Sequence, residues 1–291
     1  MKPAPFAYHA PASVGDALAL LREHPQSRPL AGGQSLVPML ALRLAQPEMV
    51  IDLNRLDGLA GIKHTGGALV IGAMTRQQEA LRSPVLAQYA PLLIEALRHV
   101  GHPPTRVRGT IGGSLAHADP AAELPALAAL FDATFTIAGT AGARDVPWSD
   151  FFVTYLTSCL EPGEILTGVT LALAPAATGW SFHEIARRHG DFALAGCATL
   201  VELDANGEAI AQARVALFGV DATPVRLLDD EPAFTGRRAA DAAIDDIAAA
   251  AAAKLEPATD VHGSSAFRRD IARSLIASGV RTAARQAAAR A

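Results

Sequence analysis

Apolar positions along the chain change period several times, and the changes predict a succession of elements. Ser13 stands where a helix N-cap is expected, ahead of "VGDALALLREH", whose apolar residues recur at helical spacing. "RPLAGG" then reads as a short strand entering a turn, "LVPMLALRL" as a helix and "EMVIDLN" as a strand. Together they predict a small βαβ unit with a glycine pair at its strand-to-helix corner. From about Asp57 the pattern alternates instead. "GIKHTGGALVIGAM" predicts a hairpin with Gly66 and Gly67 at its tip, "YAPLLIEALRHV" a helix, and "ATFTIAGTAGARDVPW" a second hairpin. After the "APAATG" linker, "WSFHEIARR" and "FALAGCATLVELDANGEAIAQARVALFGV", with a turn at Asn206–Gly207, predict an antiparallel meander, and Ala-rich helices follow from about Ala239. The expected divisions are 1–56, 57–177 and 178–291.

Composition narrows the classes this pattern can serve. The chain has 291 residues, half of them hydrophobic, enough for substantial cores and two or three domains. A net charge of -4 with 25 dispersed Lys and Arg argues against a nucleic-acid or anionic-membrane surface as the main partner. No apolar stretch precedes the first prolines of "MKPAPFAYHAPASVGDA", and no run reaches the roughly 20 apolar residues of a bilayer span, so a cytoplasmic protein without a transmembrane segment is expected. Cys159 and Cys197 are the only cysteines, too few for an iron–sulfur cluster held by four thiolates of this chain. Both are expected to be buried apolar residues.

Two segments carry candidate chemistry, "LAGGQSLVPML" (Leu30 to Leu40) and "GTIGGSLAHADP" (Gly109 to Pro120). Paired glycines can take positive φ and let backbone N–H groups approach a ligand closely, which is how anions such as phosphate are cradled. One such pair alone is as readily a tight turn. Neither segment has the Gly-Lys-Ser/Thr of a P-loop or the three-glycine dinucleotide spacing, so amide dipoles and the side chains of Gln34, Ser35, Thr110 and Ser114 would have to hold the anion. Two such loops from two domains would make a clamp. His117, Asp119 and Glu123 could suggest a metal, but in a loop ending in Pro120 they more simply satisfy backbone or cofactor, and no metal is expected. Ser35 and Ser114 lie outside any Gly-x-Ser-x-Gly elbow and read as loop donors rather than nucleophiles. The basic C-terminal stretch, with Arg268, Arg269, Arg273, Arg281 and Arg285 at helical spacings, reads as a solvated helix face.

"RPLAGGQSLVPMLALRLAQPEMVIDLNRL", "LVIGAMTRQ", "RGTIGGSLAHADPAAELPAL", "EPGEILTGVTLALAP" and "RRHGDFALAGCA" together resemble the FAD-binding medium subunit of molybdenum hydroxylases. That group includes aerobic carbon monoxide dehydrogenase and the flavin segment of xanthine dehydrogenase. The resemblance implies an α+β protein: a vanillyl-alcohol-oxidase-type (PCMH) FAD-binding fold of two subdomains, plus a C-terminal domain with an antiparallel three-stranded sheet and a helix bundle. It implies that Leu30, Ala31, Gly32, Gly33, Gln34, Ser35 and Leu36, with Thr110, Ile111, Gly112, Gly113 and Ser114, grip the FAD diphosphate. Glu123 would hydrogen-bond the polyol or a sugar, Leu166 and Phe192 would lie near the isoalloxazine, and Gly101 and Asp191 would complete the contacts. Without the resemblance, Phe192 reads as the first inward residue of a strand.

The resemblance also implies an oxidoreductase subunit with no catalytic residue of its own. It would take electrons from a small [2Fe–2S] subunit, itself served by a large molybdopterin subunit, and pass them from FAD to an external acceptor, in a dimer of heterotrimers. The alternative is a stand-alone FAD-dependent oxidase or reductase, which needs acid–base groups converging over the ring. Two departures stand out. Pro104, Thr105, Arg106 and Val107 replace a Gln-Ile-Arg-Asn common in relatives, and His183 and Glu184 stand where relatives commonly carry a lysine.

Overall fold

A computed structural model describes residues 2–290. The first segment contains β1 (Ala7–His9), α1 (Val14–Glu23), β2 (Ser27–Leu30), α2 (Leu36–Ala41) and β3 (Met49–Asp52). Ser13 caps α1 by accepting the Asp16 N–H. The expected βαβ unit is present, with β2 and β3 parallel, and β1 adds to the far side of β3 in the order β1-β3-β2. Ala17 and Leu21 of α1 pack on Met49, Ile51 and Leu53, a core small enough to depend on its neighbours.

The middle segment begins with β4 (Ile62–Thr65) and β5 (Ala68–Gly72), which turn at Gly66–Gly67 as the alternation predicts. Six helices follow: α3 (Gln77–Leu81), α4 (Pro84–Tyr89), α5 (Pro91–His99), α6 (Pro103–Arg108), α7 (Ile111–His117) and α8 (Glu123–Leu130). Prolines open three of them, α4, α5 and α6, where the missing N–H is not needed. The chain then forms β6 (Thr134–Gly139), β7 (Gly142–Pro147), the short helix α9 (Trp148–Phe151), β8 (Phe152–Thr154), β9 (Thr157–Ser158) and β10 (Ile165–Ala172). The second predicted hairpin is β6–β7, and β10 returns between the two hairpins to complete an antiparallel sheet β4-β5-β10-β6-β7.

The last segment has β11 (Gly179–Ala186), β12 (Ala193–Leu203), β13 (Ile210–Phe218), β14 (Val225–Arg226), α10 (Ala243–Ala253) and α11 (Ser265–Ala288). The three long strands form the predicted meander, and two-residue β14 extends it to four. The helices α10 and α11 lie side by side, and α11 packs on one face of the sheet. At Gly179 an added Cβ would sit 1.9 Å from the Ala283 carbonyl oxygen, so the close approach requires glycine. The opposite face packs on α8, every residue of which is buried. Phe182, Leu200 and Phe218 share one core with Leu127 and Phe135.

Two details depart from the sequence reading. Arg268 is not solvated: it is buried and donates to the carbonyls of Leu194 and Gly219 and to Asp260, fixing α11 against the end of β13. Cys197 is buried, as expected, whereas Cys159 is only half-buried. Among the described residues, no helix is long and apolar enough to cross a membrane.

Candidate functional site

The three segments meet around a cleft of about 810 Å³, within the range of cofactor sites, roughly 300–1,000 Å³. Fifteen expected site residues line it: Ala31 to Leu36, Gly101, Thr110, Gly112, Gly113, Ser114, Glu123, Leu166, Asp191 and Phe192. Leu30 and Ile111 do not. Ile111 is buried in the central core, and Leu30 is the last residue of β2.

The first glycine loop follows β2. Gly33 takes φ +74, which turns the chain toward α2 and leaves the N–H groups of Gln34, Ser35 and Leu36 without a protein acceptor among the described residues. Gln34 folds back, donating Nε2–H to the Gly32 carbonyl at 3.2 Å. Gly32 is glycine for a different reason. A Cβ there would lie 2.3 Å from the Arg108 carbonyl oxygen and 2.8 Å from the Gly109 Cα, so the two glycine segments touch through their backbones.

The second segment corrects the symmetric picture of two open loops. Gly112 and Gly113 lie in the first turn of α7, with Thr110 as N-cap. Its first four N–H groups are all engaged: Ile111 donates to Thr75 O (2.9 Å), Gly112 to Ala73 O (2.8 Å), Gly113 to Thr110 Oγ1 (3.0 Å) and Ser114 to Thr110 O (3.2 Å). A Cβ on Gly112 would sit 2.4 Å from the Ala73 Cβ. These glycines therefore set α7 close against the end of β5, and the free amides belong to the first loop alone. A side-chain network joins the two segments. Asn54 donates to the Ala31 carbonyl (2.9 Å), Arg76 donates to Asn54 Oδ1 (2.6 Å), and a second Arg76 N–H donates to the Arg108 carbonyl.

The far end of the cleft is built by glycines from two segments. Gly101, at φ +47, offers its carbonyl to Arg106 (3.0 Å), which is buried and also binds the Val100 carbonyl (2.8 Å). Gly190, at φ +86 in the β11–β12 turn, packs against His102 so tightly that a Cβ would come within 2.7 Å of the imidazole. Phe192 lies in that turn, before β12 begins at Ala193, and its ring is 62% exposed at the cleft rim, not the inward strand position. Leu166 lies on β10 beside a register shift between Leu166 and Gly168.

Glu123 opens α8 and is 7% exposed; burial, then the nearby charges of Glu184 and Asp119, pushes its carboxyl up to about 8. Ser27 Oγ and Gln77 Oε1, both on the cleft wall, are buried and have no protein partner. Free amides, unpartnered buried polar atoms and an exposed aromatic rim are what an elongated polar ligand with a ring system requires, and FAD fits that donor set. Sequence reading missed Ser27, Gln77, His102, Gly190 and Arg28, the one Arg or Lys on the cleft wall among the described residues. Arg28, Gln77 and Gly190 lie inside segments that carry the family resemblance but were not singled out, and Ser27 and His102 lie outside all of them.

Residues 4–173 match the family model described as the FAD binding domain in molybdopterin dehydrogenase, and 180–283 match the CO dehydrogenase flavoprotein C-terminal domain. The carbon monoxide dehydrogenase medium chain of Hydrogenophaga pseudoflava is 39% identical over 95% of this chain and 96% of that one. The 6-hydroxypseudooxynicotine dehydrogenase complex subunit alpha of Paenarthrobacter nicotinovorans is 38% identical over 95% and 93%. A chain of the quinoline 2-oxidoreductase structure from Pseudomonas putida 86 superposes with a TM-score of 0.94 at 37% identity, covering 99% of both chains. With its fold, its cleft and these matches in agreement, the chain belongs to the FAD-binding flavoprotein family of the molybdopterin dehydrogenases, oxidoreductase subunits whose cofactor is FAD.

Proposed function

We propose that this chain is the electron-transfer flavoprotein subunit of a molybdenum hydroxylase, receiving electrons from a [2Fe–2S] subunit and releasing them to an external acceptor. The observation that carries the reading is a cleft in which one loop offers free amides and the opposite end offers an exposed aromatic ring. The N–H groups of Gln34, Ser35 and Leu36, with the Ser35 and Gln34 side chains, hold the FAD diphosphate. Thr110, Gly112, Gly113 and Ser114 close the other side of the clamp by shape and by the Ser114 hydroxyl rather than by backbone amides. Glu123, largely protonated below its raised value, donates to a polyol or sugar hydroxyl. Leu166 and Phe192 flank the isoalloxazine, and Gly101 and Asp191 close that end. FAD, when bound, supplies the redox chemistry by accepting electrons singly and storing a pair. The chain's residues orient it, limit access to it and tune its environment.

The reading divides the chain at 1–56, 57–177 and 178–291. It places the chain in a dimer of heterotrimers with the [2Fe–2S] subunit and a large molybdopterin subunit; the name of one relative, a dehydrogenase complex subunit, supports a multi-subunit assembly. Exposed Val153, Tyr155 and Leu156 around the β8–β9 turn supply apolar surface of the kind a tight partner needs. Co-expression with candidate partner subunits, followed by size-exclusion chromatography and metal analysis, tests this. Iron and molybdenum co-eluting with the flavin are expected. A flavin-loaded monomer that oxidises a small substrate unaided would instead establish the stand-alone flavoenzyme.

A further inference from the structure

Residues alternate between the two faces of β11, and Trp180, Phe182 and Glu184 share the one that packs on the central core. Glu184 is therefore a carboxyl group between two bodies of the fold. Its side chain is 4% exposed and its Oε2 has no hydrogen-bond partner. The sheet offers it none. The residue opposite on β12 is Gly196, and the Phe218 ring occupies the place of that residue's side chain.

Titratable groups on three other elements lie nearby. From α5, His99 brings Nδ1 to 3.6 Å from Glu184 Oε2, its ring 4.9 Å from that of Phe182. His99 is one-third exposed, and its Nε2 lies 4.0 Å from Glu95, which is solvent-accessible and paired with Arg98. From the start of α8, Glu123 lines the cleft and lies close enough for its proton affinity to be raised by the Glu184 charge, with Asp119 adding to the effect. From the β11–β12 turn, His189 lies 6.3 Å from His99 and 6.2 Å from His102, ring centre to ring centre. Titratable groups from the cleft wall (Glu123), the buried β11 face (Glu184) and the surface (His99) are thus gathered in one region.

We propose that Glu184 is a relay residue that passes protons between Glu123 at the cleft and His99 at the surface, so that charge arriving in the cleft is compensated from solvent. The inference rests on the FAD reading above. Two electrons delivered by a reduced iron–sulfur partner, or by a chemical reductant, bring two negative charges into the cleft, and one proton offsets one of them. Glu123 would give its carboxyl proton to the reduced cofactor held in the cleft, the Glu184 carboxyl would replace it, and His99 would pass one from solvent to restore Glu184. Only O–H and N–H bonds change, and one proton enters per cycle. The poise suits this: burial pushes Glu184 up to about 7, next to Glu123 at about 8, and burial first, then His189, lowers the proton affinity of His99 against the opposing pull of Glu95.

The test uses the FAD-loaded chain reduced by dithionite in a stopped-flow instrument, with a pH-indicator dye reporting proton uptake and flavin absorbance reporting reduction. Flavin content of the wild type is measured first, and its absence would overturn the reading of the cleft itself. In Glu184→Gln, unchanged flavin content with proton uptake slowed by about tenfold or more is expected. The flavin midpoint potential of the wild type is expected to change slope with pH near neutrality, Glu184→Gln should lose that change, and Glu184→Asp should recover part of both effects. Should Glu184→Gln fail to fold, His99→Gln decides by the same readouts. Uptake at the wild-type rate together with an unchanged potential–pH profile, in whichever variant folds with its flavin, overturns the relay.

Discussion

Replacing Gly32 with Ala isolates the contact on which the two-segment clamp depends. The new Cβ would stand 2.3 Å from the Arg108 carbonyl oxygen and 2.8 Å from the Gly109 Cα, where relaxed carbon contacts need about 3.5–4.0 Å. Neither side yields easily. The Arg108 carbonyl is held by Arg76, the Gly109 N–H donates to Thr105 O at 2.7 Å, and the Gly109 carbonyl accepts from Gln77 N at 2.9 Å. Overpacking in a filled site costs typically 1–3 kcal/mol, and an overlap of roughly 1 Å against backbone on both sides belongs at the upper end, about 3 kcal/mol. For a chain of this size that lowers Tm by roughly 5–10 °C. The segments must also part, so flavin content should fall. Gly66→Ala is the control, since Gly66 has φ +57 but open space around the missing Cβ. It should cost only about 1–2 kcal/mol of backbone strain and leave flavin untouched. Thermal unfolding with flavin quantified by absorbance reads both quantities. Wild-type Tm and flavin content in Gly32→Ala would show that the backbone contact between the two segments does not hold the clamp together.

Further outcomes follow from the same geometry. Gly33→Val puts a branched side chain at φ +74 with its Cβ 3.0 Å from Val37 Cγ2, so FAD affinity, measured by fluorescence titration of apoprotein, should drop at least about tenfold as the free amides are re-aimed. Phe192→Ala should change flavin reoxidation by oxygen relative to an artificial acceptor; an unchanged ratio in stopped-flow traces would make the ring a bystander. Glu123 titrates near 4.5 unfolded and at about 8 folded, so the folded state holds a proton the unfolded state has released. Its contribution is thus complete below about pH 4.5 and lost as pH rises to 8, a slope of up to about 1.4 kcal/mol per pH unit. Urea midpoints against pH should fall over that window and flatten in Glu123→Gln.

Where a signal was local, the sequence carried it. Ser13 before an amphipathic run, Gly66–Gly67 between alternating segments and a glycine pair at a strand-to-helix corner each act on their own neighbours, and α1, β4–β5 and the βαβ unit formed accordingly. Legibility ended where a residue's reason lies far along the chain. Gly112 and Gly113 resemble the first pair in sequence, yet they start a helix because Thr110 caps it and Ala73 crowds it, and Ala73 is 39 positions from Gly112. Arg268 shares its spacing with exposed arginines but meets the Leu194 and Gly219 carbonyls at the sheet's end. Nothing local marks Glu184 as buried, since it is α5, far along the chain, that packs on β11 there. The three-residue β1 has too little alternation to declare itself before β3 pairs with it. In the cleft, glycine-motif residues were readable, whereas Ser27, Gln77 and His102 joined it only through packing.

In the proposed function, electrons enter this flavoprotein from an iron–sulfur partner rather than from a substrate bound over its own ring. Rapid mixing of the FAD-loaded chain with a pre-reduced [2Fe–2S] subunit of its complex, following flavin bleaching and cluster reoxidation together, tests it most directly. The two signals are expected to change in step, with two cluster equivalents consumed per flavin, and the complex's small organic substrate added to the isolated chain should bleach nothing. Bleaching by that substrate alone, with no exchange from the reduced cluster, would contradict it.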